Sequence, residues 1–188
     1  MFKNKFYIVL CILFGHVFSN AQILSATYTI EKSEKENQYD IYLSVLEGSA
    51  KSTRDRAQFN SQACIVVSTG AQVEVVQTYN PIKDNQEYKG TDPITWQVSK
   101  PLIAPEADKM HDFFSFRPKL MPSAFYHDVQ QGDKIKLFTI AVIFPTKEAM
   151  DVRLFKNGED PDEYIPSMQG RNFSQGICIG GVKQLYKQ

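Results

Sequence analysis

The run from Lys134 to Phe144 constrains the fold more than any other stretch of this sequence. It follows a Gly132-Asp133 turn signal and is apolar at nearly every position after Lys136. Its β-branched and aromatic side chains favour a strand over a helix. We expect this strand to be central and covered on both faces. Alternation places its apolar side chains on two layers, with Leu137 and Ile143 on one and Phe138, Ile140, Val142 and Phe144 on the other.

Short strands and turns account for the rest of the chain. Residues 24–30 and 39–45 alternate apolar and polar side chains, which is typical of strands with one wet face. Further short apolar runs are separated by glycine, proline and asparagine turn signals, and no amphipathic helix is evident. About nine short strands in this arrangement predict an all-β, antiparallel, immunoglobulin-like β-sandwich. A closed barrel is the competing architecture, and the long, unequal loops favour the sandwich.

The N-terminus has the order of a secretory signal peptide. Lys3 and Lys5 precede the apolar run Phe6–Phe18, and Ser19-Asn20-Ala21 supplies small residues before Gln22. The run of 13 residues is shorter than the roughly 20 that a membrane-spanning helix needs. We therefore predict a signal peptide at residues 1–21 and one exported domain at residues 22–188. Its location is periplasmic, on the cell surface or secreted.

The charge of the exported part argues against nucleic-acid partners. Loss of Lys3 and Lys5 from the 21 Lys and Arg leaves 19, against 21 Asp and Glu. Nucleic-acid binding needs a basic stripe, and the longest basic cluster, residues 51–56, is interrupted by Asp55. A chain of this length can bury a substantial core as a single domain.

The C-terminal part, residues 90–186, resembles a group of secreted proteins. The matching segments, in order, are Trp96 with Pro105, Asp112–Phe116, Gly132–Phe144, the Val152–Pro161 run Val-Arg-Leu-Phe-Lys-Asn-Gly-Glu-Asp-Pro, Met168–Gly176 and the terminal Gln184-Leu185-Tyr186. They are similar to the cohesin-like β-sandwich domains of secreted and cell-surface proteins of Bacteroidetes-type bacteria. The resemblance implies a sandwich fold and a role at the cell envelope or surface, including adhesion. It implies no activity, because turn and core residues carry it.

Two cysteines remain after signal cleavage, Cys64 and Cys178. If bridged in an oxidising compartment, they would close a long loop and contribute about 4–5 kcal/mol in the chain-entropy model. The alternative is two separate thiols. Cys178 lies between Ile177 and Ile179, so alternation turns it away from the core if those two isoleucines face inward.

Catalytic constellations are absent from the sequence. His111 and His127 each precede an aspartate, Asp112 and Asp128. Neighbours in a strand point to opposite faces, so adjacency opposes an acid–base pair. Nucleophile elbows, zinc-protease motifs and phosphate loops are also missing from the sequence. We predict that the protein is not an enzyme and needs no cofactor, with calcium as the one candidate metal ion.

The calcium candidate is an acidic loop. Its oxygen-bearing side chains are Asn157, Glu159, Asp160, Asp162 and Glu163, of which the first four are the proposed ligands. Calcium takes six to eight oxygens, and a flexible acidic loop can supply several of them. The competing interpretation is a solvated turn, since Asn-Gly and Asp-Pro are turn signals themselves.

Aromatic side chains give the remaining lead. Tyr79, Tyr88 and Tyr126 fall in or beside loops, where flat rings could stack on sugars, whereas Trp96 alternates with Ile94 and Val98 and is interpreted as core. The sequence thus predicts an exported interaction or structural module of the bacterial envelope that binds a protein partner through its loops. The alternative is a carbohydrate-binding module that uses these tyrosines.

Overall fold

A computed structural model describes residues 22–52, 54–57, 60–79, 94–119, 128–146, 151–180 and 182–186. These residues form an all-β structure of two sheets, which confirms the predicted β-sandwich. Eleven strands occur among them, more than the nine expected, because the C-terminal run divides into two strands and a short strand follows residue 128. None of the described residues belongs to a helix with the length and apolar character needed to cross a bilayer.

The larger sheet contains seven strands. They are β1 (Ile23–Lys32), β2 (Gln38–Ala50), β4 (Gln72–Thr78), β7 (Val129–Gln130), β8 (Lys134–Ile143), β10 (Ile177–Ile179) and β11 (Val182–Tyr186). Their order is β10-β11-β1-β2-β8-β4, with β7 paired to the end of β2. All of these pairs are antiparallel except β1 with β11.

The smaller sheet contains four antiparallel strands. They are β3 (Ala63–Ser68), β5 (Thr95–Val98), β6 (His111–Lys119) and β9 (Val152–Leu154), in the order β5-β6-β3-β9. The main core lies between the two sheets and draws buried side chains from both. At its centre the Phe138 ring lies 4.9 Å from Trp96 and 5.1 Å from Phe116, measured between ring centroids. Trp96 is buried there, as predicted.

Strand β8 is an interior strand of its sheet, between β2 and the edge strand β4, but only one of its faces is covered. The prediction of two covered faces is wrong, because Ile143 is 57% exposed. The division of side chains between two layers is correct for Phe138, Ile140, Val142 and Phe144, which all contact the main core, and for Ile143 on the other face, but it is wrong for Leu137. Ile41 pairs with Phe138 while the next residue, Tyr42, pairs with Lys136, so a β-bulge falls at Leu137. The extra residue breaks the alternation, and Leu137 and Phe138 both enter the main core.

Strand β3, in the small sheet, has two covered faces. All six of its residues are buried. Ile65 and Val67 join the main core, whereas Cys64 and Val66 point the other way into a second core. The rest of the second core consists of Leu102, Phe113, Phe155, Met168 and Phe173. Apart from Phe113 on β6, these side chains come from two loops, residues 99–110 and 155–175, which together we call the loop cover.

Buried polar side chains fix the loop cover to the small sheet. The Gln175 amide accepts a hydrogen bond from the Cys64 N–H (2.8 Å) and donates to the Cys64 carbonyl (2.6 Å). It therefore replaces a neighbouring strand along that part of β3. Asp112, fully buried on β6, accepts hydrogen bonds from the Thr69 hydroxyl, the Gly70 N–H and the Ala104 N–H at 2.8–2.9 Å. These bonds join the loop cover to the turn after β3.

Candidate functional site

Asp160, a proposed calcium ligand, is bound to protein groups. Its two carboxylate oxygens each accept a hydrogen bond of 2.7 Å from the Arg153 guanidinium, and one also accepts from the Lys156 N–H at 2.7 Å. Burial alone would raise the pKa of Asp160, but the hydrogen bonds from Arg153 and Lys156 outweigh it and lower the pKa. The same bidentate pair raises the pKa of Arg153.

The other three proposed ligands face different partners. Asn157 exchanges two hydrogen bonds with the backbone of Gln175, Glu159 accepts from the Lys156 ammonium at 2.9 Å, and Asp162 accepts from the Tyr164 N–H at 3.0 Å. The structure thus does not bring the four side chains together around one point. Within the described residues, no group of three or more His, Cys, Asp or Glu side chains is placed to hold a metal ion.

Cys64 and Cys178 are both thiols in the structure. Cys64 is fully buried in the second core, and this burial raises the pKa of its thiol well above the ordinary value. Cys178 is half-buried on β10 between the buried Ile177 and Ile179, so the predicted alternation is confirmed. The backbone N–H of Cys178 donates to the Ser61 hydroxyl at 2.9 Å.

His111 and Asp112 do not form a pair, as the sequence predicts. The Nδ1 atom of His111 lies 2.7 Å from an Asp108 oxygen, and its Nε2 atom lies 3.5 Å from Asp151. Asp112 points to the other face of β6 and accepts its three structural hydrogen bonds there. His111 therefore links the loop before β6 to the start of β9. His127 lies outside the described residues.

Only Tyr79 of the three proposed sugar-binding tyrosines lies within the described residues; Tyr88 and Tyr126 fall outside them. Tyr79 is half-buried just after β4, and its hydroxyl lies 3.2 Å from the Thr139 hydroxyl. The Lys136 ammonium lies 4.6 Å from the centroid of the Tyr79 ring. Tyr79 therefore belongs to a polar cluster on the sheet instead of standing alone on a loop.

This cluster lines a cleft of about 440 Å³ on the outer face of the large sheet, which we call the sheet-face cleft. The turn between β1 and β2 forms one wall, and β2, β4 and β8 supply the rest. Its lining residues are Lys32, Ser33, Glu34, Lys35, Gln38, Asp40, Tyr42, Gln77, Tyr79, Lys136 and Thr139.

The Asp40 carboxylate organises the cleft. One of its oxygens accepts a hydrogen bond from the Thr139 hydroxyl at 2.6 Å, and the other lies 2.8 Å from the Lys136 ammonium. Burial alone would lower the pKa of Lys136, but hydrogen bonds to Asp40 and Tyr79 outweigh it and raise the pKa. Burial, and then the charge of Asp40, raise the pKa of Tyr42. At neutral pH the cleft therefore holds a charged Lys136 and a protonated Tyr42.

The sequence patterns did not single out Asp40, Lys136 or Thr139. The alternation in residues 39–45 places Asp40 and Tyr42 on a wet face, which the structure confirms. Thr139 joins them only because the bulge at Leu137 changes the facing of every later residue in β8. The alternation pattern therefore predicts the facing of Asp40 and Tyr42, whereas the facing of Thr139 depends on the pairing register between distant strands.

The loop cover presents large apolar side chains to solvent. Tyr164 is 85% exposed, Met110 69% and Ile103 55%. The two loops are tied together by a hydrogen bond of 3.1 Å from the Ala107 N–H to the Ser167 hydroxyl, and by the Arg171 guanidinium, which donates to the Pro101 carbonyl at 2.8 Å. A shallow groove of about 600 Å³ runs between them. It is lined by Ser99, Lys100, Pro101, Leu102, Ile103, Gln169 and Arg171.

No protein-family model, curated protein or solved structure matches this chain. The two candidate surfaces, the sheet-face cleft and the loop cover, are therefore interpreted from their own geometry and chemistry.

Proposed function

We propose that this chain is an exported, non-enzymatic β-sandwich module of the bacterial envelope or surface that binds a protein partner through the loop cover. The observation that carries the proposal is the exposure of Ile103, Met110 and Tyr164 on loops that are pinned to a buried sheet. Apolar side chains on rigidly held loops are suited to binding, since little conformational entropy is lost when they are covered. The signal-peptide pattern of residues 1–21 supports export.

Site-specific photo-crosslinking tests the partner surface. A photoreactive side chain is introduced at Tyr164 in the full chain expressed in its native host, and a matched one at Ile143, which is also exposed but lies on the opposite sheet. We expect one defined protein adduct from position 164 and none from position 143. Equal labelling at both positions, or no adduct at either, would contradict binding through the loop cover.

Export and the absence of catalysis need separate tests. We expect cell fractionation to find the chain outside the cytoplasm. We expect mass spectrometry of the purified protein to show that Gln22 is its first residue. We also expect no turnover on panels of ester, glycoside and peptide substrates. Turnover that disappears in a His111→Ala variant would overturn the non-enzymatic proposal, because His111 has a carboxylate at each ring nitrogen.

Carbohydrate binding is the second candidate function, and the sheet-face cleft favours it. This cleft is concave and polar, and it includes Tyr79, which the sequence singled out for sugar binding. The two candidate functions use different sheets, so they can be tested independently.

A further inference from the structure

The sheet-face cleft is a concave region on the outer face of the large sheet. Its volume of about 440 Å³ lies within the range of roughly 300–1,000 Å³ that is typical of small-ligand sites. Much of the surrounding face is formed by exposed side chains such as Lys134 and Ile143. The cleft thus offers a small molecule a degree of enclosure that the neighbouring surface does not.

The floor of the cleft is a paired carboxylate and ammonium. The Asp40 side chain is only 9% exposed, although it lies on the solvent face of the sheet. Burying a charge is costly unless partners satisfy it, and here Thr139 and Lys136 do so. The three side chains and Tyr79 form a closed ring of contacts that fixes their positions.

This ring keeps hydrogen-bonding capacity toward the cleft. A carboxylate accepts about four hydrogen bonds and an ammonium donates three, so the bonds within the ring do not exhaust Asp40 or Lys136. The Lys136 side chain remains 30% exposed. A fixed acceptor and a fixed donor 2.8 Å apart match the donor and acceptor pair that two adjacent hydroxyls of a sugar ring present. Gln77 and Gln38 add amide groups at the walls.

The charges that line the cleft come close to cancelling. Lys32, Lys35 and Lys136 carry positive charge, and Glu34 and Asp40 carry negative charge. The small positive excess suits a neutral ligand or one that carries a carboxylate, whereas a polyphosphate normally meets a cluster of arginines or lysines without carboxylates. The lining therefore favours a hydroxyl-rich ligand of low charge.

We propose that the sheet-face cleft is a saccharide-binding site. In this site Asp40 and Lys136 hold adjacent sugar hydroxyls, and Gln77 and Tyr79 border the sugar ring. The proposal gives a location and a recognition chemistry to the carbohydrate-binding candidate, and it does not depend on partner binding through the loop cover. It also moves the site from the loops, where the sequence placed it, to the open face of a sheet.

Two lysines on β8 provide a matched pair of variants. Lys134 and Lys136 lie two residues apart on the same face, and each ammonium lies over a tyrosine ring, at 4.4 Å from the Tyr42 centroid and 4.6 Å from the Tyr79 centroid. Only Lys136 lines the cleft. Substitution of either by methionine removes the charge and keeps most of the side-chain length, so a general effect of charge on this face would appear in both variants.

The test is calorimetric titration of the purified protein with neutral oligosaccharides (cello- and xylo-hexaose) and with carboxylated ones (oligogalacturonate and oligoalginate). We expect saturable binding of at least one class. Lys136→Met should weaken it at least tenfold, while Lys134→Met changes it less than twofold. A preference for the carboxylated class would show that the positive excess contributes, and a preference for the neutral class would show that the hydroxyl contacts dominate.

Two further variants keep the test decisive if Lys136→Met unfolds. Gln77→Ala truncates an exposed lining residue, and Tyr79→Phe removes one hydroxyl, and both should weaken binding by about threefold or more. Melting curves of all variants identify any that are unfolded. The proposal is overturned if no oligosaccharide of either class binds, or if the variants in the cleft bind as tightly as Lys134→Met does. Crosslinking at Tyr164 would be unaffected by these outcomes, so failure here is distinguishable from failure of the loop-cover proposal.

Discussion

The outer faces of the two sheets of this sandwich differ in how far they are covered. The outer face of the small sheet is closed by the loop cover, which adds a second core around Phe113 and Phe155. The outer face of the large sheet is open and carries the ion pairs Lys134–Glu31 and Lys136–Asp40. One sheet is thus buried on both sides, and among the described residues the other presents charged side chains to solvent on one side.

This difference shows that an apolar strand does not by itself determine what covers it. Strands β3 and β8 both contain continuous apolar runs, yet only β3 is enclosed. The long loops 99–110 and 155–175 carry Leu102, Met168 and Phe173, and these side chains seal the outer side of β3. The described part of the chain has no comparable apolar loop over β8, and there the bulge directs the apolar side chains to one face.

The largest effect is expected where the two sheets meet. Phe138→Ala would remove a fully buried ring that packs on Trp96 and Phe116. We expect a loss of about 3–5 kcal/mol in the free energy of unfolding, through lost transfer energy and a residual cavity. Urea titration measures it, with the exposed Lys51→Ala as a control that should change stability by less than about 0.5 kcal/mol. An unchanged urea midpoint for Phe138→Ala would contradict the assignment of the main core.

A pair of aspartates sharpens the comparison between the sheets. Asp112 on the small sheet is fully buried, and Asp112→Ala would leave three donors without an acceptor, so we expect a loss of roughly 3 kcal/mol. Asp40 faces the open side, where Lys136 can turn to water. Asp40→Ala should therefore cost about 1 kcal/mol. Urea midpoints of the two variants compare them directly, and equal costs would contradict the expectation that Lys136 compensates for the loss of Asp40 by turning to water.

The Asp160–Arg153 pair gives the loop cover a dependence on pH. The pKa of Asp160 is lowered in the folded state, so the folded protein binds this proton less tightly than the unfolded chain does. The pair therefore stabilises fully above about pH 5, and the contribution is lost as the pH falls through the folded-state pKa, which lies below roughly 3.9. Asp160→Asn should lose about 1–2 kcal/mol at pH 7 and less at pH 3. A constant difference between pH 3 and 7 in urea titrations would contradict this account.

The smallest effect is expected on the open face. Lys134 pairs with Glu31, but the two side chains are 41% and 50% exposed, so water and salt screen the pair. Lys134→Met should change the free energy of unfolding by less than about 0.5 kcal/mol. Thermal melts at low and high salt measure it, and a cost above about 1 kcal/mol that persists at high salt would show that this face is less exposed than the structure indicates.

Much of the fold follows from local patterns, because alternation and turn residues act over a few positions. Residues 24–30 and 39–45 form strands as predicted, and Trp96 is buried as predicted. Predictions that depended on distant pairing were less successful. Thr139 and Asp40 are 99 residues apart in the chain, and the bulge at Leu137 that brings them together leaves no signature in the sequence. The partners of the acidic loop, Arg153 and Gln175, lie outside it, so the composition of the loop does not predict these contacts.

The contrast between the two outer faces is tested most directly by one pair of truncations. Phe113 faces outward from the small sheet into the second core, and Ile143 faces outward from the large sheet into solvent. Urea titration of Phe113→Ala and Ile143→Ala compares them under the same conditions. We predict a loss of about 3–5 kcal/mol for Phe113→Ala and less than about 0.5 kcal/mol for Ile143→Ala. Similar costs for the two variants, or a larger cost for Ile143→Ala, would contradict the assignment of one covered and one open face.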